Sequence, residues 1–174
     1  ATSVYCLLAV IPSTFARPPV VEAVPAEAAP LDTRFAEGLE LLGARVETAE
    51  ARPGEWVWVS LYWRAEPNAG APLLHLELFG RDFERIGNVV AYHGRGGWPA
   101  ALWPDEAIVA DRIAAQVRLA DPAAAPVEAR VAVKLYEEAD SVAVGTVKVV
   151  PAEWPAAVAP RAMLGEAIEL AAAR

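Results

Sequence analysis

Two sets of residues in this chain have the types and spacing to hold a sugar. The stretch GEWVWVSLYWRA, residues 54–65, divides with period two into Val57, Val59, Leu61 and Trp63 on one side and Trp56, Trp58, Ser60, Tyr62 and Arg64 on the other. A second set, His93, Trp98, Trp103 and Asp105, falls in a loop rich in glycine, proline and tryptophan. An exposed indole or phenol packs against the apolar C–H face of a pyranose, while nearby Asp, Arg or His side chains bond its hydroxyls. The candidate carbohydrate-binding residues are therefore Trp98, Trp103, His93 and Asp105 in the loop and Trp56, Trp58, Tyr62 and Arg64 on the strand. The competing expectation is that Trp98 and Trp103 plug the open end of a sandwich, with Trp56 and Trp58 covered by the N-terminal apolar run or by a neighbouring domain. Three large aromatics on one strand face are too much apolar surface to stand bare, so something covers them.

Other chemistries find less support. Nucleophilic hydrolysis wants an elbow such as G-x-S-x-G and a histidine to take the proton, and Ser3, Ser13, Ser60 and Ser141 lack that setting. His75 and His93 are the only histidines and make no zinc spacing, so no metal site is expected. GRGG at 94–97 lacks the lysine and the following helix of a phosphate cradle. Glycoside hydrolysis needs two carboxylates about 5–10 Å apart across a sugar. Asp105, Glu106 and Asp111 cluster in sequence, but among 23 acidic residues some such group is expected. Asp111 is expected instead to fix the corner after Trp103 by accepting backbone N–H bonds. No catalytic residue and no cofactor is assigned.

The elements that must position these residues read as strands. GLELLGARVETAE, EWVWVSLYWRA, PLLHLELFG, ERIGNVVAYHG, AIVADRIAAQVRLA, VEARVAVKLYEE and SVAVGTVKVV follow one another, with turn signals at RPG, EPNAG and GRD. Leu74, Leu76 and Leu78 alternate with His75 and Glu77, and Val131, Val133 and Leu135 alternate with Arg130, Lys134 and Tyr136. Each of these strands is expected to have one wet face, and by the same alternation Val57, Val59, Leu61 and Trp63 take the core side. The fold class is all-β: an antiparallel β-sandwich, jelly-roll or immunoglobulin-like, forming a single domain over residues 34–150. At 174 residues, with 15 prolines and 11 glycines spread through it, the chain suits one such domain and disfavours a helical bundle.

The flanks differ in composition. SVYCLLAVIP, residues 3–12, is an apolar run shorter than the roughly 20 residues that cross a bilayer. It reads either as a buried strand or, within residues 1–16, as the remnant of a membrane helix. RPPVVEAVPAEAAP, within 17–33, reads as an extended Pro/Ala linker. Residues 151–174 form a C-terminal extension. There LGEAIELAAAR (164–174) echoes FAEGLELLGAR (35–45), with Glu, Glu, Leu, Ala and Arg at equivalent places. The echo reads either as the start of a second repeat or as an Ala-rich helix with Met163, Ile168 and Leu170 on one face. Cys6 is the only cysteine, so no intrachain disulfide forms. A net charge of -8 and the lack of any basic stripe exclude a phosphate backbone as a natural partner, so no nucleic-acid binding is expected.

Several segments together resemble the β-sandwich module that follows the transmembrane region of bacterial multi-spanning glycosyltransferases of the dolichyl-phosphate-mannose mannosyltransferase-like type. They are Leu41 to Gly43, Pro53 to Gly54, Leu61 to Arg64, Trp103 to Asp111 and Leu135 to Tyr136, taken in that order over residues 35–150. DPAAAPVEAR stands where the family commonly has a Pro-Gly-x-Tyr segment, and EEADS is shorter than its usual tip. The resemblance implies a non-catalytic accessory domain on the extracytoplasmic face of the bacterial cell membrane. Its expected partners are the membrane region of the parent protein, a glycan, and a second copy through the aromatic strand face. The alternatives are a structural interaction module with no ligand and a glycan-active hydrolase.

Overall fold

The computed structural model describes residues 17–121, 125–136, 138, 140–152, 162–164 and 168–170. The apolar run at 3–12 lies outside them. Among the described residues no helix is long and apolar enough to cross a membrane. The fold is the all-β sandwich expected from the alternation, two five-stranded sheets packed face to face.

One sheet runs β1 (Val20–Val21), β8 (Ile108–Gln116), β5 (Trp56–Ala65), β3 (Leu39–Val46) and β2 (Ala29–Phe35). The other runs β4 (Glu50–Ala51), β10 (Val142–Val149), β9 (Val127–Leu135), β6 (Leu74–Phe79) and β7 (Arg85–Ala91). Every pairing within them is antiparallel except β10 with β4, which is parallel. The inward faces carry Leu39 and Leu41, Val57 to Trp63 at alternate positions, Leu74, Leu76 and Leu78, and Val131, Val133 and Leu135, all at most 1% exposed. Trp63 is therefore core, as its phase with Val57, Val59 and Leu61 required.

Three expectations are corrected. The 17–33 stretch is sheet rather than linker: Val20 and Val21 pair with Val109 and Ile108, and β2 begins at Ala29. Proline does not prevent this, because β1 and β2 are edge strands and an edge tolerates a missing donor. The segment is held closely. Pro18 and Ala28 are buried, and a Cβ on Gly43 would come within 2.7 Å of Val24, so glycine there lets the chain cross β3. Second, His75 and Glu77, expected on a wet face, are both buried. Arg85 reaches Glu77 at 3.2 Å and Asn88 lies 3.4 Å from His75, so long polar neighbours on β7 roof that face. Third, Ala162–Leu164 (β11) and Ile168–Leu170 (β12) pair as antiparallel strands, which overturns the helical alternative for those residues.

Candidate functional site

The outer face of β5 is covered by ions. Arg112, opposite Ser60 on β8, lays its guanidinium 4.0 Å from the centroid of the Trp58 ring, with Arg95 at 5.7 Å. Glu47 holds Arg112 in place, accepting from its Nε at 2.9 Å and its Nη2 at 2.7 Å, and also accepts from Ser60 Oγ at 2.6 Å. The hydrogen bond from Arg112 lowers the Glu47 pKa and raises that of Arg112. Tyr62 is buried, and Arg64 Nε donates to Glu40 at 2.9 Å, a bond that lowers the Glu40 pKa despite burial. Of the four residues expected on this face as ligand contacts, Trp56 alone is an exposed large hydrophobic, 52% exposed.

The loop set turns inward, which corrects its reading as a sugar platform. Trp98 and Trp103 are 8% and 7% exposed and belong to the hydrophobic core. A left-handed bend at Gly94 and Arg95 and a short 3-10 turn at Ala100–Leu102 fold the loop back over the sandwich end. Trp103 Nε1 donates to the Trp98 carbonyl at 3.0 Å, and Arg17 caps the Trp98 ring at 5.6 Å. His93 stands edge-on between Trp63 and Trp103, 5.2 Å from each ring centroid. The rings are held there because burying an indole is worth more than presenting it to water. Asp105 stays exposed.

Asp111 points into the core from the inward phase of β8, between Val109 and Ile113. Its carboxylate accepts from the Gly94 backbone N–H at 3.2 Å and meets His93 Nδ1 at 3.1 Å, which places the imidazole proton on Nδ1. The expected acceptor role holds, although the partner is the loop at 93–94 and not the corner beside Asp111. His93 Nε2 and Trp63 Nε1 have no hydrogen-bond partner among the described residues. A His–Asp pair is part of a hydrolase triad, but this one sits behind two indoles with its outer nitrogen shut from solvent. It works as a polar pin between loop and sheet.

Arg64 lines a shallow concavity of about 240 Å³ with Arg34, Glu40, Glu66 and Glu106. A second concave site lies at the end of the sandwich where β6, β7 and β9 meet the β2–β3 turn. A groove of about 440 Å³ is lined by Leu73, Tyr92, Tyr136, Glu37, Glu138 and Pro72, among others. Leu74 pairs with both Ala91 and Leu135, and Tyr136 N donates to the Leu73 carbonyl at 2.9 Å. Continuing that register puts Tyr92, Leu73 and Tyr136 in one row across three strands. The two tyrosines are then about 10 Å apart, two strand spacings, with the Leu73 position between them. They are 51% and 57% exposed. Glu138 Oε1 accepts from Ala36 N at 2.8 Å, which ties the β2–β3 turn to the groove wall. Among the described residues no lysine or arginine lines the groove.

Tyr92 and Tyr136 were missed as contacts because each stands outside the tryptophan-rich stretches. The signal was there: ERIGNVVAY and VEARVAVKLY each end in tyrosine one place after an inward residue, on strands that flank β6. Among the described residues no cluster of three or more His, Cys, Asp or Glu side chains could hold a metal ion. No protein-family model matches this chain, and no curated protein matches it either.

Proposed function

We propose that this chain is a non-catalytic accessory module that holds a glycan in the Tyr92–Tyr136 groove, on the extracytoplasmic side of a bacterial membrane and beside a glycosyltransferase-like membrane region. The observation that carries the glycan reading is the groove itself: two exposed phenols in one row, carboxylates at its rim and, among the described residues, no basic side chain. Phenol rings offer flat apolar faces to pyranose C–H groups, and carboxylates accept from hydroxyls. A lining without a cation disfavours phosphorylated and uronic-acid sugars and suits neutral or amine-bearing ones. The membrane setting is supported by the resemblance in the order of LLG, PG, LYWR, W-P-x-E-x-x-x-D and xLY, and by the apolar run at 3–12.

The test is a titration of the whole chain with neutral, amine-bearing and uronic-acid oligosaccharides of bacterial envelopes, followed by heat or NMR shifts. Saturable binding of the first two classes, with the acidic sugars at least about tenfold weaker, is the expected result. Tightest binding to acidic sugars, or no binding to any, would overturn the reading.

A further inference from the structure

The C-terminal hairpin repeats the register of the β2–β3 hairpin over three residue pairs. In the first, Phe35 pairs with Leu39, Arg34 with Glu40 and Thr33 with Leu41. In the second, Leu164 pairs with Ile168, Met163 with Glu169 and Ala162 with Leu170. Adding 129 to each first-copy number gives the second, and this is the offset at which FAEGLELLGAR aligns with LGEAIELAAAR. A one-residue slip would have reversed every side chain's face, so shared register and shared sequence phase are two agreeing facts rather than one.

The agreement extends upstream. PAEAAP at 25–30 and PAAVAP at 155–160 share a proline–four–proline spacing, now at an offset of 130. One residue has dropped out between the second proline and the hairpin. In the first copy that interval holds the β2 bulge: Pro30 pairs with Gly43 and Thr33 with Leu41, so β2 carries one residue more than β3 there. A bulge is where a strand can lose a residue without altering the ladder beyond it. The second copy departs from the first at six of the eleven aligned positions, among them Ala167 and Ala172, where the first has Gly38 and Gly43.

We infer that the hairpin of Ala162–Leu164 and Ile168–Leu170 opens a second copy of this same sandwich, as its β2 and the start of its β3. The hairpin's missing partner is then a β5-type strand. In the first copy β3 lies between β2 and β5, and Leu39, Glu40 and Leu41 pair with Ala65, Arg64 and Trp63. The β12 residues Ile168, Glu169 and Leu170 are built to meet an equivalent strand of a second module. Tandem copies would each present a sandwich end, which raises avidity for a repeating polymer without any new contact.

The full chain extended directly after Arg174 by a duplicate of residues 46–150 tests this, because Arg174 aligns with Arg45 and the added segment lacks β2 and all of β3 but Val46. The expected result is a doubled denaturation amplitude by circular dichroism, with slowed amide exchange at 168–170. Scrambling 162–170 in that fusion should return the amplitude to that of one module. A second fusion whose duplicate carries its own β2 and β3 (residues 29–150) and, like the first, lacks 17–28 should double the amplitude with or without the scramble, which shows that the junction and the loss of 17–28 are tolerated. If the 29–150 duplicate folds and the 46–150 duplicate does not, or if the scramble leaves the 46–150 fusion fully folded, the inference is wrong.

Discussion

His93 Nδ1 lies 3.1 Å from Asp111 Oδ2 inside the sandwich, and the same carboxylate accepts from Gly94 N. The pair fastens the tryptophan loop to β8 through groups that water does not reach. Asp111→Ala would leave both donors unsatisfied in the core, at about 1–3 kcal/mol each, so a loss of about 2–6 kcal/mol is expected by urea denaturation. Asp111→Asn, which can still accept one bond, should lose less. A change below about 1 kcal/mol for the alanine variant would contradict the pin.

The cover on Trp58 is also testable. Arg112→Ala removes the guanidinium stacked on the indole and frees Glu47. Trp58 emission should shift to the red, with a stability loss of about 0.5–1 kcal/mol, the range for a partly solvated cation–π contact. Glu47→Gln should reproduce part of that shift, because it loosens the arginine without deleting it. Unchanged emission in both variants would mean that Arg112 does not cover the ring.

Stability should fall in two stages on acidification. Burial lowers the His75 pKa below its ordinary 6.5, so the unfolded chain takes up a proton first and stability declines as pH falls through that value. Glu40 and Glu47 are lowered from 4.5 by their arginine hydrogen bonds; their contribution is complete above that value and is lost as pH falls through the folded pKa values. Denaturation midpoints from pH 8 to 3 check this. His75→Gln should flatten the upper stage and leave the lower one, and an unaltered upper stage would contradict the assignment.

Deleting residues 17–28 should destabilise the sandwich rather than trim a tail. Pro18 and Ala28 are buried and Val20 and Val21 pair with β8, so a loss of at least about 2 kcal/mol is expected, comparable to uncovering one large apolar side chain. Calorimetry of a chain starting at residue 29 decides it. An unchanged melting temperature would restore the linker reading of this segment.

Strand periodicity carried most of the fold. Each of the seven alternating runs became a strand, β3 and β5 to β10, and the inward phase of Val57 to Trp63 followed from alternation alone. The strands that escaped notice, β1, β2 and β4, are short edges or proline-bearing, where alternation is weak and only pairing partners define them. The site was less legible. Tryptophan is the conspicuous sugar contact in a sequence, but here Trp98 and Trp103 are drawn into the core and Trp58 lies under Arg112. Which side chains remain in water depends on cross-strand neighbours, and a single strand read alone does not contain them. Tyr92 and Tyr136 become a pair only through the register of β7, β6 and β9.

The measurement that tests the central claim most directly is calorimetric titration of an envelope oligosaccharide that binds the chain into the Tyr92→Ala/Tyr136→Ala variant, with Trp98→Ala/Trp103→Ala beside it. The groove account predicts at least about tenfold weaker binding per lost ring for the tyrosine variant, while the tryptophan variant loses stability and, where folded, keeps its affinity. Undiminished affinity in the tyrosine variant would place the glycan site elsewhere and contradict the account.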